Sequence, residues 1–215
     1  MSDRMRVINL GLPKSGTTTL AHAMRVSGLK IADYRIRRRQ TQDPALRNAF
    51  VGELMYRGYF ETGDPLHGLD FFDGFSEVST LREGHSLWPQ MDWALIEAIR
   101  THHPGARFLA SWRPPEALSN SIMRWSNLGS ERLPDGHIPG LPQGYGATPA
   151  QRVQWICGHY AHLERIFQND ERFMILDVQA PDAQTRLGEF LNREIPWWGK
   201  ANRNRKPFRQ ETEIT

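Results

Sequence analysis

A short apolar and β-branched run, Arg6 to Leu10, stops at Gly11, and by Thr19 the chain has entered a helical register with Leu20, Ala23 and Met24 on one face. Between them lies Gly11-Leu12-Pro13-Lys14-Ser15-Gly16-Thr17-Thr18. A buried strand that leaves through glycine and enters a helix almost at once turns its loop over the strand's carboxyl end. Successive backbone N–H groups then converge there, with the positive end of the helix dipole behind them. Gly11 permits the tight exit, Gly16 lets backbone approach an anion, Lys14 supplies a full charge, and Thr17 and Thr18 supply hydroxyls at the first helical turn.

The same alternation continues downstream. Ala106 to Trp112 reads as a buried strand followed by a helix from Glu116 to Trp125, and Phe173 to Val178 as a strand followed by a helix from Asp182 to Leu191. Further helices are expected at Pro44 to Tyr56, Gln90 to Thr101 and Pro149 to Gln168. Strands alternating with helices make an α/β domain with a mostly parallel sheet flanked by helices. With 215 residues, 39% hydrophobic and 24% charged, residues 1–215 suit a single domain with a full core. Proline and glycine crowd residues 130–148, which are expected as a long flexible loop or lid over an acceptor.

The lone cysteine, Cys157, is expected as a small buried side chain, and His102-His103 as an exposed helix end. The histidines are scattered, so no metal site is expected. The N-terminal run is too brief for a signal peptide or a membrane span, so a cytoplasmic chain with no membrane span and no nucleic-acid partner is expected. The net charge of +3 matters less than its distribution. Basic residues gather at Arg35, Arg37, Arg38 and Arg39 and in the tail 200–215, and an anion site should draw on one of these runs.

A nucleoside-triphosphate loop, Gly-x4-Gly-Lys-[Ser/Thr], has its two glycines at the separation of Gly11 and Gly16, but its lysine slot here holds Thr17. The strand ending at Trp112 runs into Arg113 and two prolines rather than the acid that helps hold magnesium. The segment Leu12 to Thr18 instead resembles the 5′-phosphosulfate loop of sulfotransferases that use 3′-phosphoadenosine 5′-phosphosulfate (PAPS). Arg113 at a strand end, with Ser121 in the next helix, is similar to the 3′-phosphate motif of that family. Phe72-Asp73-Gly74-Phe75-Ser76-Glu77 and His103-Pro104-Gly105 resemble the middle segment of its shorter single-domain members.

That resemblance implies a P-loop-like sulfotransferase fold with PAPS as donor, 3′-phosphoadenosine 5′-phosphate (PAP) as product and no metal. It implies a donor site at Pro13, Lys14, Ser15, Gly16, Thr17 and Thr18, with Arg113 and Ser121 on the 3′-phosphate and with Arg203 and Lys206 as further contacts. Lys14 would steady the bridging oxygen, and a carboxylate or histidine would deprotonate a small-molecule or carbohydrate acceptor. Among Asp64, Asp70, Asp73, Glu77, Glu83 and His85, Glu77 is the first choice and His85 the second. The rival readings are a nucleotide kinase using ATP and magnesium and a nucleotide-binding protein without catalysis. Neither the acceptor's identity nor the oligomeric state is legible.

Overall fold

The computed structural model describes residues 4–201. Strand β1 (Arg6–Asn9) feeds helix α1 (Thr17–Val26), then β2 (Ile31–Ala32), α2 (Val51–Thr62) and β3 (Gly74–Phe75). A hairpin of β4 (Thr80–Arg82) and β5 (His85–Leu87) leads to α3 (Trp93–His102) and the central β6 (Ala106–Trp112). The chain closes with α4 (Pro115–Met123), a helical turn α5 (Leu133–Asp135), α6 (Pro149–Ile166), β7 (Phe173–Asp177) and α7 (Ala183–Leu191).

The main sheet has five strands in the order β2-β3-β1-β6-β7, every neighbouring pair parallel. Side chains alternate across it with the period of a strand. Val7 and Leu109 face α1 and α7, packing with Leu20, Met24 and Leu187. Ile8, Phe108 and Ala110 face the other layer, where α2, α3, α4 and α6 contribute Met55, Ile96, Ile122 and Ile156. Because the chain moves to β3 on one side of β1 and to β6 on the other, a crevice opens at the carboxyl end of β1. Parallel α/β sheets bind their ligands at such switch points.

Several expectations shift. Residues 44–50 are not α-helical: Asp43 caps only a 3-10 turn at Pro44–Leu46, Asn48 takes a left-handed φ of 64°, and Phe50 bridges back to Arg35 before α2 begins. His103 is buried, with its Nε2 2.8 Å from Asp64 Oδ1. Cys157 is exposed, since the buried stripe of α6 runs through Trp155, Ile156, His159, Tyr160 and Leu163. Residues 130–148 are an anchored segment rather than bare loop. Leu133, Ile138 and Leu141 are buried, Trp155 donates to the Pro139 carbonyl, and Arg152 holds the Gly146 and Ala147 carbonyls. Among the described residues, no helix is long and apolar enough to cross a membrane.

Candidate functional site

The loop after β1 is braced from below by buried polar groups. Asn9, wholly buried, donates through Nδ2 to the Ser76 carbonyl (2.6 Å) and Ser111 Oγ (3.1 Å), and its Oδ1 accepts from the Gly11 and Ser111 N–H groups. One side chain thereby ties three adjacent strand ends together. Tyr160 donates to the Ser111 carbonyl (2.7 Å), and His159 Nε2 donates to the Leu10 carbonyl (2.8 Å). Burial holds His159 neutral, its pKa lowered to about 4 against the pull of that carbonyl.

Above this base the loop has the conformation its glycines allow. A Cβ on Gly11 would collide with the backbone of Ser111, and Gly16 has φ 120° at the N-cap of α1. Gly16 has no side chain to cap the helix, so the first-turn N–H groups are left to an external acceptor. Lys14 occupies the left-handed region at φ 73°, which is uncommon for a residue with a Cβ and marks local strain. Its Nζ lies 3.4 Å from the centroid of the Trp125 ring. Burial lowers the Lys14 pKa to about 8, with Arg113 acting in the same direction and Glu77 opposing.

The loop forms the floor of a cleft of about 890 Å³. Pro13, Lys14, Gly16, Thr17 and Thr18 line it, as do Arg113, Ser121 and Glu77 from three other segments. Arg113 follows β6 directly; burial lowers its pKa, Asp177 opposes that shift, and its buried Nε has no hydrogen-bond partner among the described residues. Glu77 follows β3 and accepts from Thr17 Oγ1 at 2.8 Å. Burial raises the Glu77 pKa, while the Thr17 bond and the Lys14 charge pull it down. A carboxylate so balanced can take up a proton, and the Lys14 ammonium beside it and the Arg113 guanidinium lining the same cleft can neutralise anionic oxygens.

The other acids considered for the base are engaged elsewhere. Asp64 caps a turn and holds His103, Asp70 pairs with Arg6, Asp73 with Arg4, and Glu83 with Arg35. His85 packs against Phe50 outside the cleft. Ser15 is also removed from the cleft: its hydroxyl is fully buried and lies 2.6 Å from Ser111 Oγ. Arg203 and Lys206 lie outside the described residues. Trp197 packs edge-on against His22, so it belongs to the core rather than to the cleft.

Sequence reasoning missed three contributors. Trp125 carries Lys14, and Arg82 and Arg132 come from the hairpin and from the segment after α4. Arg37 and Arg39, visible as a basic run, also reach the cleft. The acid that the strand ending at Trp112 lacks stands on the other side of β1, where β3 runs into Glu77.

No family model matches the chain, and no curated protein matches it by sequence. Among solved structures, an unliganded sugar kinase from Janibacter sp. HTCC2649 is 20% identical, over 88% of this chain and 94% of that one, with a TM-score of 0.44. A likeness of that size carries no argument about chemistry.

Proposed function

We propose that the chain is a sulfotransferase that moves a sulfuryl group from PAPS to a hydroxyl or amine of an acceptor, leaving PAP. The observation that carries this reading is that Lys14, Arg113, Ser121 and Glu77, from four separate segments, line one cleft over an uncapped helix N-terminus. Arg113 and Ser121 fit a 3′-phosphate, and Lys14 with the loop N–H groups fits the 5′-phosphosulfate. Arg203 and Lys206 are proposed as further phosphate contacts. The acceptor oxygen or nitrogen attacks sulfur and passes its proton to Glu77. The bond between sulfur and the bridging oxygen breaks, and its electron pair stays on the 5′-phosphate beside Lys14. No step requires the protein to bond covalently; positioning and charge supply the catalysis.

A kinase using ATP and magnesium is the second reading, and one observation favours it. Glu77 stands at the end of the strand next to β1 and bonds a loop threonine, where such enzymes keep a metal-holding acid. The lysine argues the other way, since Lys14 lies inside the loop and Thr17 takes its usual slot. Thermal denaturation with each nucleotide separates the two. A ligand at a hundred times its Kd stabilises the native state by about 2.7 kcal/mol. PAP should raise the melting temperature and ATP with magnesium should leave it nearly unchanged; the reverse result transfers the assignment to the kinase.

A further inference from the structure

We infer that the acceptor is a small polyanion, a hydroxy or amino compound bearing at least two phosphate or carboxylate groups, gripped by Arg37, Arg39, Arg82 and Arg132. The ligand's role as acceptor rests on the sulfotransferase reading; the anion site does not. The cleft is lined by seven arginines, Lys14 and Lys200 against only Asp33 and Glu77, nine basic side chains to two acidic. A bound PAPS, with a phosphomonoester and a phosphosulfate, brings about four negative charges. A surplus of positive charge therefore remains when the donor is in place.

Four of these arginines come from segments other than the loop: Arg37 and Arg39 from the stretch after β2, Arg82 from the hairpin and Arg132 from the segment after α4. Arg37, Arg39, Arg82 and Arg132 form no ion pair among the described residues, whereas neighbouring arginines do: Arg25 pairs with Asp33 at 2.7 Å and Arg35 with Glu83 at 3.2 Å. Arg82 and Arg132 repel each other, and burial together with Arg82 lowers the Arg132 pKa. Gathering like charges is unfavourable without a ligand to separate them. Two of the guanidinium groups are also fixed in place. Arg132 donates to Asn127 Oδ1 and the Leu81 carbonyl, and Arg82 to the Tyr34 hydroxyl, leaving further N–H groups of each fork for a ligand.

Ser79 adds an independent sign. It lines the same cleft, it is only 3% exposed, and its buried hydroxyl has no partner among the described residues. A buried hydroxyl normally finds a partner, and an anionic oxygen held by the arginines would provide one. Glu77 and Leu81 flank it on the same wall. The proposed proton acceptor and the proposed anion grip therefore share one short stretch of chain.

The test is calorimetric titration of the PAP-saturated protein with pyrophosphate, citrate and fructose 1,6-bisphosphate, with fructose as the neutral control. At least one anion should bind while fructose does not, and its affinity should fall as salt is raised. The triple variant R37Q/R39Q/R82Q, checked for an unchanged melt, should lose at least tenfold, and R37K/R39K/R82K should lose less. Absence of binding by all three anions, equal binding of fructose, or full affinity in the glutamine variant overturns the inference. If PAP itself fails to bind, the donor reading falls alone, and the titrations run on the unliganded protein beside Lys14→Ala. Loss confined to the arginine variant then upholds the anion site, and loss confined to Lys14→Ala assigns the anion to the loop and overturns it.

Discussion

The Thr17 hydroxyl donates to Glu77 Oε2 across 2.8 Å, fastening the first turn of α1 to the chain leaving β3. Glutamine at position 77 can still accept that bond, so Glu77→Gln keeps the loop's support and removes only the proton acceptor. With PAPS and a true acceptor, turnover should fall by about 10²–10⁴, the usual contribution of a general base. PAP affinity measured by calorimetry should stay nearly the same. If magnesium and ATP were the ligands, the same change would weaken their binding, so the two readings part at this one residue.

Lys14 predicts a pH dependence of donor binding. In the free protein its ammonium loses a proton near pH 8 because burial and Arg113 disfavour the charge. An anion in the loop favours the charged form, so the bound complex keeps that proton to higher pH. Binding is therefore strongest below pH 8 and weakens as pH rises above it, by up to about tenfold per unit. Lys14→Arg, which stays protonated throughout, should remove the break near pH 8 even if it binds less tightly overall. Trp125, in contact with Lys14, offers a fluorescence signal for the titration.

Arg113→Ala tests the second anion contact. A guanidinium that is half buried and only weakly paired on the protein side is set to meet a ligand's charge. Its loss should weaken PAP binding by about 2–4 kcal/mol, the cost of breaking a desolvated charge pair. Adenosine 5′-phosphosulfate, which lacks the 3′-phosphate, should bind the wild type and the variant almost equally. A variant with full affinity for PAP would remove Arg113 from the site.

What was legible in the sequence was what local pattern determines. β6 matches its expected bounds from Ala106 to Trp112 because a mainly apolar run, broken only by Arg107 and Ser111, lies between Gly105 and the Arg113-Pro114-Pro115 stop. β2 and β3 were missed because each is two residues long and exists only through its register with a neighbour, as Ile8 opposite Phe75 shows. The hairpin turning at Glu83 and Gly84 was likewise too short to show a period. The same limit applied to the site. Loop residues contiguous in sequence could be read together, but Ser15 looked like a phosphate donor until Ser111, from a distant strand, took its hydroxyl. The contact of Lys14 with Trp125 likewise joins segments that no local pattern relates.

Gly11→Ala probes how closely that loop lies on β6. The added Cβ would press on Ser111, the residue on which Asn9, Ser15 and Tyr160 all converge, and backbone rather than a flexible side chain would have to yield. Forcing extra volume into such a site costs about 1–3 kcal/mol. Urea unfolding should register that loss, and PAP affinity should fall with it because the loop is displaced from the sheet. A change in stability without a change in affinity would mean that the loop adapts independently of its base.

His159 gives the last prediction, which concerns stability below neutral pH. Its ring is buried, donates from Nε2 to the Leu10 carbonyl, and has a pKa lowered from 6.5 to about 4. In the unfolded chain the ring protonates near its ordinary value, so between about pH 6.5 and pH 4 the unfolded state binds more protons than the folded one. Stability must therefore rise with pH across that window and be lost as pH falls through it. The contribution reaches about 3 kcal/mol at its low end, counting about 1.4 kcal/mol for each pKa unit. His159→Gln retains a donor for Leu10 and removes the titration. Urea unfolding at intervals from pH 7 to pH 4 should show the variant's stability falling less steeply than the wild type's. Parallel curves would mean that the ring takes up its proton without leaving the Leu10 carbonyl, and that the base of the loop tolerates a charge.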